Sequence, residues 1–376
     1  MDTRTFKAGS FRKQQEYKSF LPELVDREWM INEPKLAALQ SAADRKLGEL
    51  NAAGRWIAET EYFIRMHIAK EATTSSKIEG TQTTMEEALE QSANIDIERR
   101  DDWQEVRNHI DAMNFAIERL KKLPLSNRLL KETHVRLLTG VRGKHKNPGE
   151  FRRSQNWLGP SLKHAIYVPP VHSEVEALMS DLEKFLNNTR ISVPPLTRIA
   201  LAHYQFETIH PFLDGNGRLG RLMITLYLVS AGLLSKPTLY LSDFFERNRS
   251  EYYDLLTRVR EKNELDQWLK FFFVGVIETA ERSVLTFEKI VELKQQIETK
   301  KLIKLGKRSA IGADLLHLLY KEPILGRHRL EAELELSLST ASRLLQDFEQ
   351  LGILREMTGF SRNRRYAFSE YIDIFR

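Results

Sequence analysis

Residues 210–221 read HPFLDGNGRLGR. An imidazole, a carboxylate, a carboxamide, three glycines and two guanidiniums stand within these twelve positions. Gly215, Asn216 and Gly217 let the backbone turn successive N–H groups toward one point where a helix begins, which makes an anion site. Arg218 and Arg221, at i and i+3, share one face at the positive end of that helix's dipole, where cations are disfavoured. Two guanidiniums held against that field imply a multiply charged anion such as a polyphosphate. Asp214 among phosphates would repel them unless a hard cation such as Mg²⁺ stood between. His210, whose side chain titrates near neutrality, is the candidate general base. Singly, a histidine after a helix, a Gly-Asn-Gly turn and two arginines have ordinary structural explanations. Their combination at fixed spacing favours a site.

The flanking elements must hold this loop still. Leu196, Ile199, Ala200, His203, Phe206 and Ile209 recur at helical spacing up to His210, and residues 219–234 are apolar on nearly every face, the pattern of a buried helix. A loop clamped between two core helices is a rigid mounting for reacting groups. Helical periodicity also covers 33–50, 55–73, 84–91, 103–122, 130–138, 173–187, 249–261 and 266–293, after a polar N-terminal arm expected to be extended. Thr84 and Glu87 have the spacing of a capping box. Within GEFRRSQNWLGPSLKHAIYVPP (149–170), two strand-like runs flank a Gly-Pro turn: Gln155, Asn156, Trp157 and Leu158, then Ala165, Ile166, Tyr167 and Val168. They predict a β-hairpin whose edge could pair with an extended peptide.

The chain is therefore mainly α. Residues 294–308 (KQQIETKKLIKLGKR) turn strongly basic and read as a linker. Beyond it, helical patterns at 311–320, 327–334 and 339–351 precede strand-like pieces at 353–357 and 365–368, the order of a winged helix-turn-helix. The expected organisation is an N-terminal helical region (1–99), a core (100–293), the linker (294–308) and a C-terminal module (309–376).

Composition removes several function classes. Cysteine is absent, which excludes disulfides, thiol nucleophiles and cysteine-bound zinc. No HExxH occurs, and the Gly-rich stretch 140–144 lacks the spacer and hydroxyl of a Walker loop. A net charge of +5 permits contact with nucleic acid without demanding it. No apolar run of membrane-spanning length and no apolar leader core is present, so a soluble, cytoplasmic protein without membrane partners is expected.

At 210–221 the sequence resembles the Fic family, whose motif HxFx(D/E)GNGRxxR is matched by His210, Phe212, Asp214, Gly215, Asn216, Gly217, Arg218 and Arg221. The resemblance implies a helical core that moves AMP from ATP onto a Ser, Thr or Tyr hydroxyl of a target protein, and of itself. It implies His210 as the base and Asp214 as the Mg²⁺ ligand. Asn216 and the flanking glycine amides would form the anion hole, with Arg218 and Arg221 on the phosphate chain. It further implies that the hairpin is a flap that aligns the target, and that Tyr253 lines the adenine pocket, although a core aromatic at helical spacing explains Tyr253 equally well. Upstream, TTSSKIEGTQTT resembles the (S/T)xxxE(G/N) motif of one Fic class through Ser75, Glu79 and Gly80. A carboxylate at Glu79 set against Arg221 would occupy the fork meant for the γ-phosphate and inhibit the protein. A homodimer is also implied, with no interface located.

The C-terminal module leaves two readings open. Residues 339–343 (STASR) would open a recognition helix, with Arg362, Arg364 and Arg365 on the wing as phosphate contacts. Winged helices also dock proteins, and Glu331, Glu333 and Glu335 make the preceding segment acidic. A DNA-binding regulator with a nucleotide-sensing core, or removal of AMP by the same site, are the alternatives to AMP transfer.

Overall fold

The computed structural model describes residues 1–56 and 60–376. Where the sequence suggested an extended arm, β1 (Gly9–Lys13) and β2 (Lys18–Pro22) form an antiparallel hairpin. Phe20 supplies its anchor: the ring is fully buried and meets Phe11 edge-on at 5.0 Å, an apolar contact concealed within a polar stretch. The long helices α1 (Pro34–Trp56) and α2 (Thr60–Ile78) follow; the part of the expected helix 55–73 that falls on 57–59 lies outside the described residues. Next, α3 (Met85–Leu89) starts on the expected capping box: the Thr84 hydroxyl accepts from the Glu87 N–H (3.2 Å) and the Glu87 carboxylate from the Thr84 N–H (2.8 Å).

The core comprises α4 (Arg100–Leu120), α5 (Asn127–Leu137), α6 (Val175–Asn187), α7 (Pro195–Ile209) and α8 (Asn216–Ser230). It continues through α9 (Ser242–Arg247), α10 (Arg249–Lys262) and α11 (Leu265–Gln296). At six residues α9 is too short to declare a helical period, and the sequence reading passed over it. Every residue of α7 after its initial proline is buried. His203, midway along α7, ties four helices together: Nδ1 lies 3.0 Å from the Gly220 carbonyl of α8, Nε2 lies 2.9 Å from the Tyr252 hydroxyl of α10, and its ring stacks on Trp268 of α11. Trp268 in turn donates to the Ala200 carbonyl at 2.9 Å. These bonds satisfy polar atoms that burial would otherwise penalise.

Residues 294–308, expected as a linker, are largely helical: a π turn at Ile297–Lys301 and a 3₁₀ stretch at Leu302–Arg308 follow α11, with a kink at Gly306 (φ 57°, ψ −120°) before the next helix. Ile297, Leu302 and Leu305 are buried there, so three apolar side chains outweigh the lysines on the opposite face. The last segment runs α12 (Ser309–Lys321), β3 (Ile324–Gly326), α13 (Arg327–Glu333), α14 (Leu338–Gln350), β4 (Arg355–Glu356), β5 (Arg365–Ala367) and α15 (Ser369–Asp373). Its three-stranded antiparallel sheet has the order β3-β5-β4. This module packs on α2: Tyr62 stacks on Tyr320 at 5.5 Å, the Tyr371 hydroxyl donates to the Tyr62 carbonyl (3.2 Å), and Phe375 meets His67 edge-on. No helix among the described residues is long and apolar enough to cross a membrane.

Trp268→Ala is expected to destabilise the core by about 3–5 kcal/mol through the cavity and the orphaned carbonyl. Chemical denaturation followed by circular dichroism measures it.

Candidate functional site

The turn between α7 and α8 is locked from within. His210 takes a left-handed conformation (φ 50°, ψ 62°) and Gly215 another (φ 73°). The Asn216 carboxamide bonds both faces of Phe212: Oδ1 accepts from its N–H and Nδ2 donates to its carbonyl, each at 2.9 Å. This side chain therefore ties the loop to the start of α8. The first-turn N–H groups of Asn216, Gly217 and Arg218 have no intrahelical acceptor and carry the positive end of the α8 dipole. Phe212 stacks on His134 of α5 at 3.9 Å. His134 accepts from the Gly149 N–H at Nδ1 (2.8 Å), so its proton sits on Nε2, which donates to the Asp214 carbonyl at 2.9 Å. Burial lowers this ring's pKa to about 4 and keeps it neutral. No motif announced His134; the trace in the sequence is its helical register with Leu130 and Leu137 on the buried face of α5.

A second lock is Arg152, also unannounced. Its guanidinium is buried and donates to main-chain carbonyls only: His210 (3.0 Å), Ile209 (3.3 Å), Pro170 (2.6 Å) and Ser154 (3.3 Å). One cation thus joins the end of α7 to both roots of the expected flap. The flap itself is less regular than the sequence predicted. Instead of a two-stranded ladder it has one antiparallel bridge, Leu158 to Tyr167, because a 3₁₀ turn at Leu162–His164 takes up the intervening chain. Asn156 donates to the His210 and Phe212 carbonyls (3.2 and 3.0 Å), and Gln155 donates to the Asn156 and Pro169 carbonyls (3.0 and 3.1 Å). Tyr167 and Val168 point inward; the Tyr167 hydroxyl donates to Thr208, and the Val168 carbonyl accepts from Phe20 of β2 at 3.0 Å. Trp157, Leu158 and Ile166 face outward, Ile166 being 80% exposed.

Both arginines of the motif are buried and paired with acids. Arg218 meets Glu105 of α4 at 3.2 Å, and Asp214 more distantly at 3.8 Å. Glu105 was not singled out in the sequence, although an acid on the buried face of α4 demands a partner. Arg221 is bonded from α2 and the residue that follows it: Nε donates to the Ser75 hydroxyl (2.9 Å), and Nη2 to the Ser75 carbonyl (2.9 Å) and the Glu79 carboxylate (2.8 Å). The two ends of this pair differ, since the Arg221 side chain is 1% exposed and that of Glu79 37%. Burial raises the Glu79 pKa, but Arg221, then Arg218 and His210, outweigh it and hold the group below the ordinary carboxylate value. Glu79 lies over the first turn of α8. A Cβ added to Gly217 would sit 2.3 Å from Glu79 Oε1 and 2.9 Å from Arg221 Nη1. Gly217 is therefore needed for the room it leaves to an anion, whereas Gly215 is needed for its positive φ. Gly80, just after Glu79, has φ +106° in open space.

Asp214 splits its carboxylate. Oδ1 accepts from the Gly215 N–H at 2.6 Å, while the side chain stays 42% exposed at the rim. Burial lowers the His210 ring to about 4 against the raising effect of Glu79, and its Nδ1 is buried without a hydrogen-bond partner. Of the two tyrosines in EYYDLL, Tyr252 is the core aromatic. Tyr253 is 39% exposed and close enough to Glu79 and Arg221 to feel their charge; burial first, then Glu79, pushes its hydroxyl up to about 12. Glu71 and Glu207, both buried near Arg221, are raised by burial to about 7.

A helical protein with a glycine-rich turn between two buried helices, its arginines countered by acids from neighbouring elements, is the class these features define. Comparison with known proteins agrees. A model described as Fic/DOC family N-terminal matches residues 37–118, and one described as Fic/DOC family matches 124–228. The protein adenylyltransferase Fic of Drosophila grimshawi is 32% identical over 241 residues, covering 61% of this chain and 45% of that protein; the Drosophila erecta protein of the same name is 31% identical over 241 residues, covering 61% and 44%. The chain thus spans less than half the length of these curated relatives. The crystal structure of a Fic family protein from Desulfovibrio desulfuricans G20 shares the fold, with a TM-score of 0.57 at 22% identity over 92% of this chain and 98% of that one. The chain belongs to the Fic/DOC family.

Arg152→Ala leaves four carbonyls without their donor and is expected to cost about 2–4 kcal/mol. Differential scanning calorimetry reads the loss, and faster amide exchange across 155–168 than in the rest of the core accompanies it.

Proposed function

We propose that the chain transfers AMP from ATP to a hydroxyl of a target protein and that Glu79 holds this activity in check. The observation that carries the reading is the Glu79 carboxylate seated on the first turn of α8 and bonded to Arg221. Of the oxygens that answer the buried Arg221 guanidinium, the partly exposed Glu79 carboxylate is the replaceable one. The phosphate chain of ATP offers several negative oxygens to the same N–H groups and to Arg221. With Glu79 in place the γ-phosphate is denied this fork, and the nucleotide lies in an unreactive pose.

Once Glu79 withdraws, the neutral His210 ring takes the proton of the target hydroxyl, whose oxygen attacks the α-phosphorus. The bond to the β-phosphate's bridging oxygen breaks and pyrophosphate leaves. Arg218 and Arg221 balance the charge that develops on the phosphate chain. Tyr253 stands beside this space and suits an adenine ring. The outward Trp157, Leu158 and Ile166 on the bridged flap suit a target segment laid against its edge. Asp214 is the residue fit to hold Mg²⁺: it is a hard, half-exposed carboxylate, and the described residues contain no cluster of three or more metal-binding side chains, so one carboxylate plus substrate phosphates matches how this ion binds. The ion supplies charge neutralisation across the phosphates.

Glu79→Gly is expected to raise self-labelling by radiolabelled AMP about tenfold or more, and His210→Ala in that background to abolish it. Unaltered labelling by Glu79→Gly contradicts the reading. The pH profile is a second check. The active base is the neutral ring, whose fraction falls below its pKa, so a ring lowered to about 4 leaves the rate of Glu79→Gly flat between pH 8 and pH 5.5. An acid limb centred near 6.5 refutes His210 as the buried base.

A further inference from the structure

Between the C-terminal module and α3–α4 opens the largest cleft among those described, about 1350 Å³. Seven arginines and two glutamates line it, with no lysine or aspartate. Arg362 on the wing makes no ion pair among the described residues, and Arg364 bonds only the Phe360 carbonyl, at 2.7 Å. Ser342 and Gln346 of α14 share the cleft with these wing arginines, while Ser339, Thr340 and Arg343 lie exposed on the same helix. The acids of α13 cancel only part of this charge: Glu331 pairs with the cleft's Arg327 at 3.0 Å and Glu333 with its Arg329 at 2.7 Å, and neither reaches Arg362 or Arg364. A helix bearing hydroxyl, amide and guanidinium groups beside an arginine-bearing wing suits base edges and phosphates together.

The cleft also touches the inhibitory segment. Arg365 of β5 reaches across it to Glu90, the residue that ends α3, and Arg376 pairs with Glu86 inside α3. Five residues, 80–84, join α3 to Glu79, beginning at Gly80, around which nothing lies within 4 Å of an added Cβ. The opposite end of α2 is held by the same module through Tyr62, Tyr320 and Tyr371. The inhibitory helix is therefore gripped by the C-terminal module at one end and by Arg221 at the other.

We infer that this cleft binds duplex DNA and that its occupation, by drawing Arg365 from Glu90, frees α3 and releases Glu79 from Arg221. Phosphates entering the cleft attract Arg365 and repel Glu86 and Glu90, and both effects pull on the short connection to Glu79. The release rests on the autoinhibited transferase reading above; the binding does not.

Fluorescence anisotropy of a labelled 25-base-pair duplex of mixed sequence with the full chain tests the surface. Affinity is expected to fall steeply between 50 and 200 mM salt, and Arg362→Glu with Arg364→Glu to weaken binding about tenfold or more. No salt-sensitive binding, or equal binding by heparin or a polyglutamate peptide, overturns it. Self-labelling with AMP tests the coupling. Saturating duplex should raise the wild type several-fold toward Glu79→Gly while leaving Glu79→Gly itself unmoved, and Glu90→Gln should raise the basal rate without DNA. Duplex that binds but leaves wild-type labelling unchanged overturns the coupling alone. Labelling absent even from Glu79→Gly instead condemns the transferase reading, and the anisotropy result stands by itself.

Discussion

A buried guanidinium must find acceptor oxygens for its N–H groups, and Arg221 is buried almost completely. Dehydration of the charge costs far more than a single neutral hydrogen bond returns, so the surrounding fold must supply negative oxygen or let a ligand supply it. Here α2 and the residue that follows it do so with a hydroxyl, a carbonyl and a carboxylate, all aimed at one side chain. Ser75 is fully buried and permanent, whereas Glu79 sits at the mouth. That difference in exposure is what the proposed exchange of Glu79 for a ligand's anion rests on, since it needs no opening of the core.

The rest of the site serves to keep the exchange point rigid. His203 fastens α7 to α8, α10 and α11 behind the turn; His134 and Asn216 brace it from below and within; Arg152 holds its front edge to the flap roots. Three of these four use side-chain polarity to bond main-chain carbonyls or amides, and the fourth, His203, bonds both a carbonyl and a hydroxyl. Positioning of this kind ties the loop to its surroundings through Asn216, His134 and Arg152 and leaves the first-turn N–H groups of α8 free of side-chain caps. The pairing of Arg218 with Glu105 follows the same logic one turn earlier on α8.

Much of this was legible in the chain. The helices around the motif were foreseen to within a few residues because α7 and α8 are apolar on so many faces that no strand or loop reading competes. The capping box at Thr84 and Glu87 was equally plain, being a local exchange of two bonds. Three regions were misread for want of local information. The N-terminal hairpin depends on Phe20 finding buried company from distant residues. Residues 294–308 look like a linker because lysines dominate the composition, yet Ile297, Leu302 and Leu305 meet a surface that belongs to another part of the chain. The flap closes through one bridge because a 3₁₀ turn takes up the chain between its two runs and Asn156 bonds backbone carbonyls of the motif loop instead of a cross-strand ladder.

What the sequence by itself determined is the chemistry: the types and order of His210, Asp214, Gly215, Arg218 and Arg221, and the Ser75-to-Glu79 spacing that puts a hydroxyl and a carboxylate on neighbouring turns of one helix. These are properties of short segments, where covalent spacing and helical period dictate which groups face the same way. Only the tertiary structure decided which acid answers which arginine, that the Asn216 carboxamide bonds the Phe212 backbone, and that α2 is shared between the motif turn and the C-terminal module. Those facts join residues far apart in the chain, such as Glu105 with Arg218 or Tyr62 with Tyr371. Packing and the cost of burying an unpaired charge select them, and neither quantity exists until the chain has closed on itself.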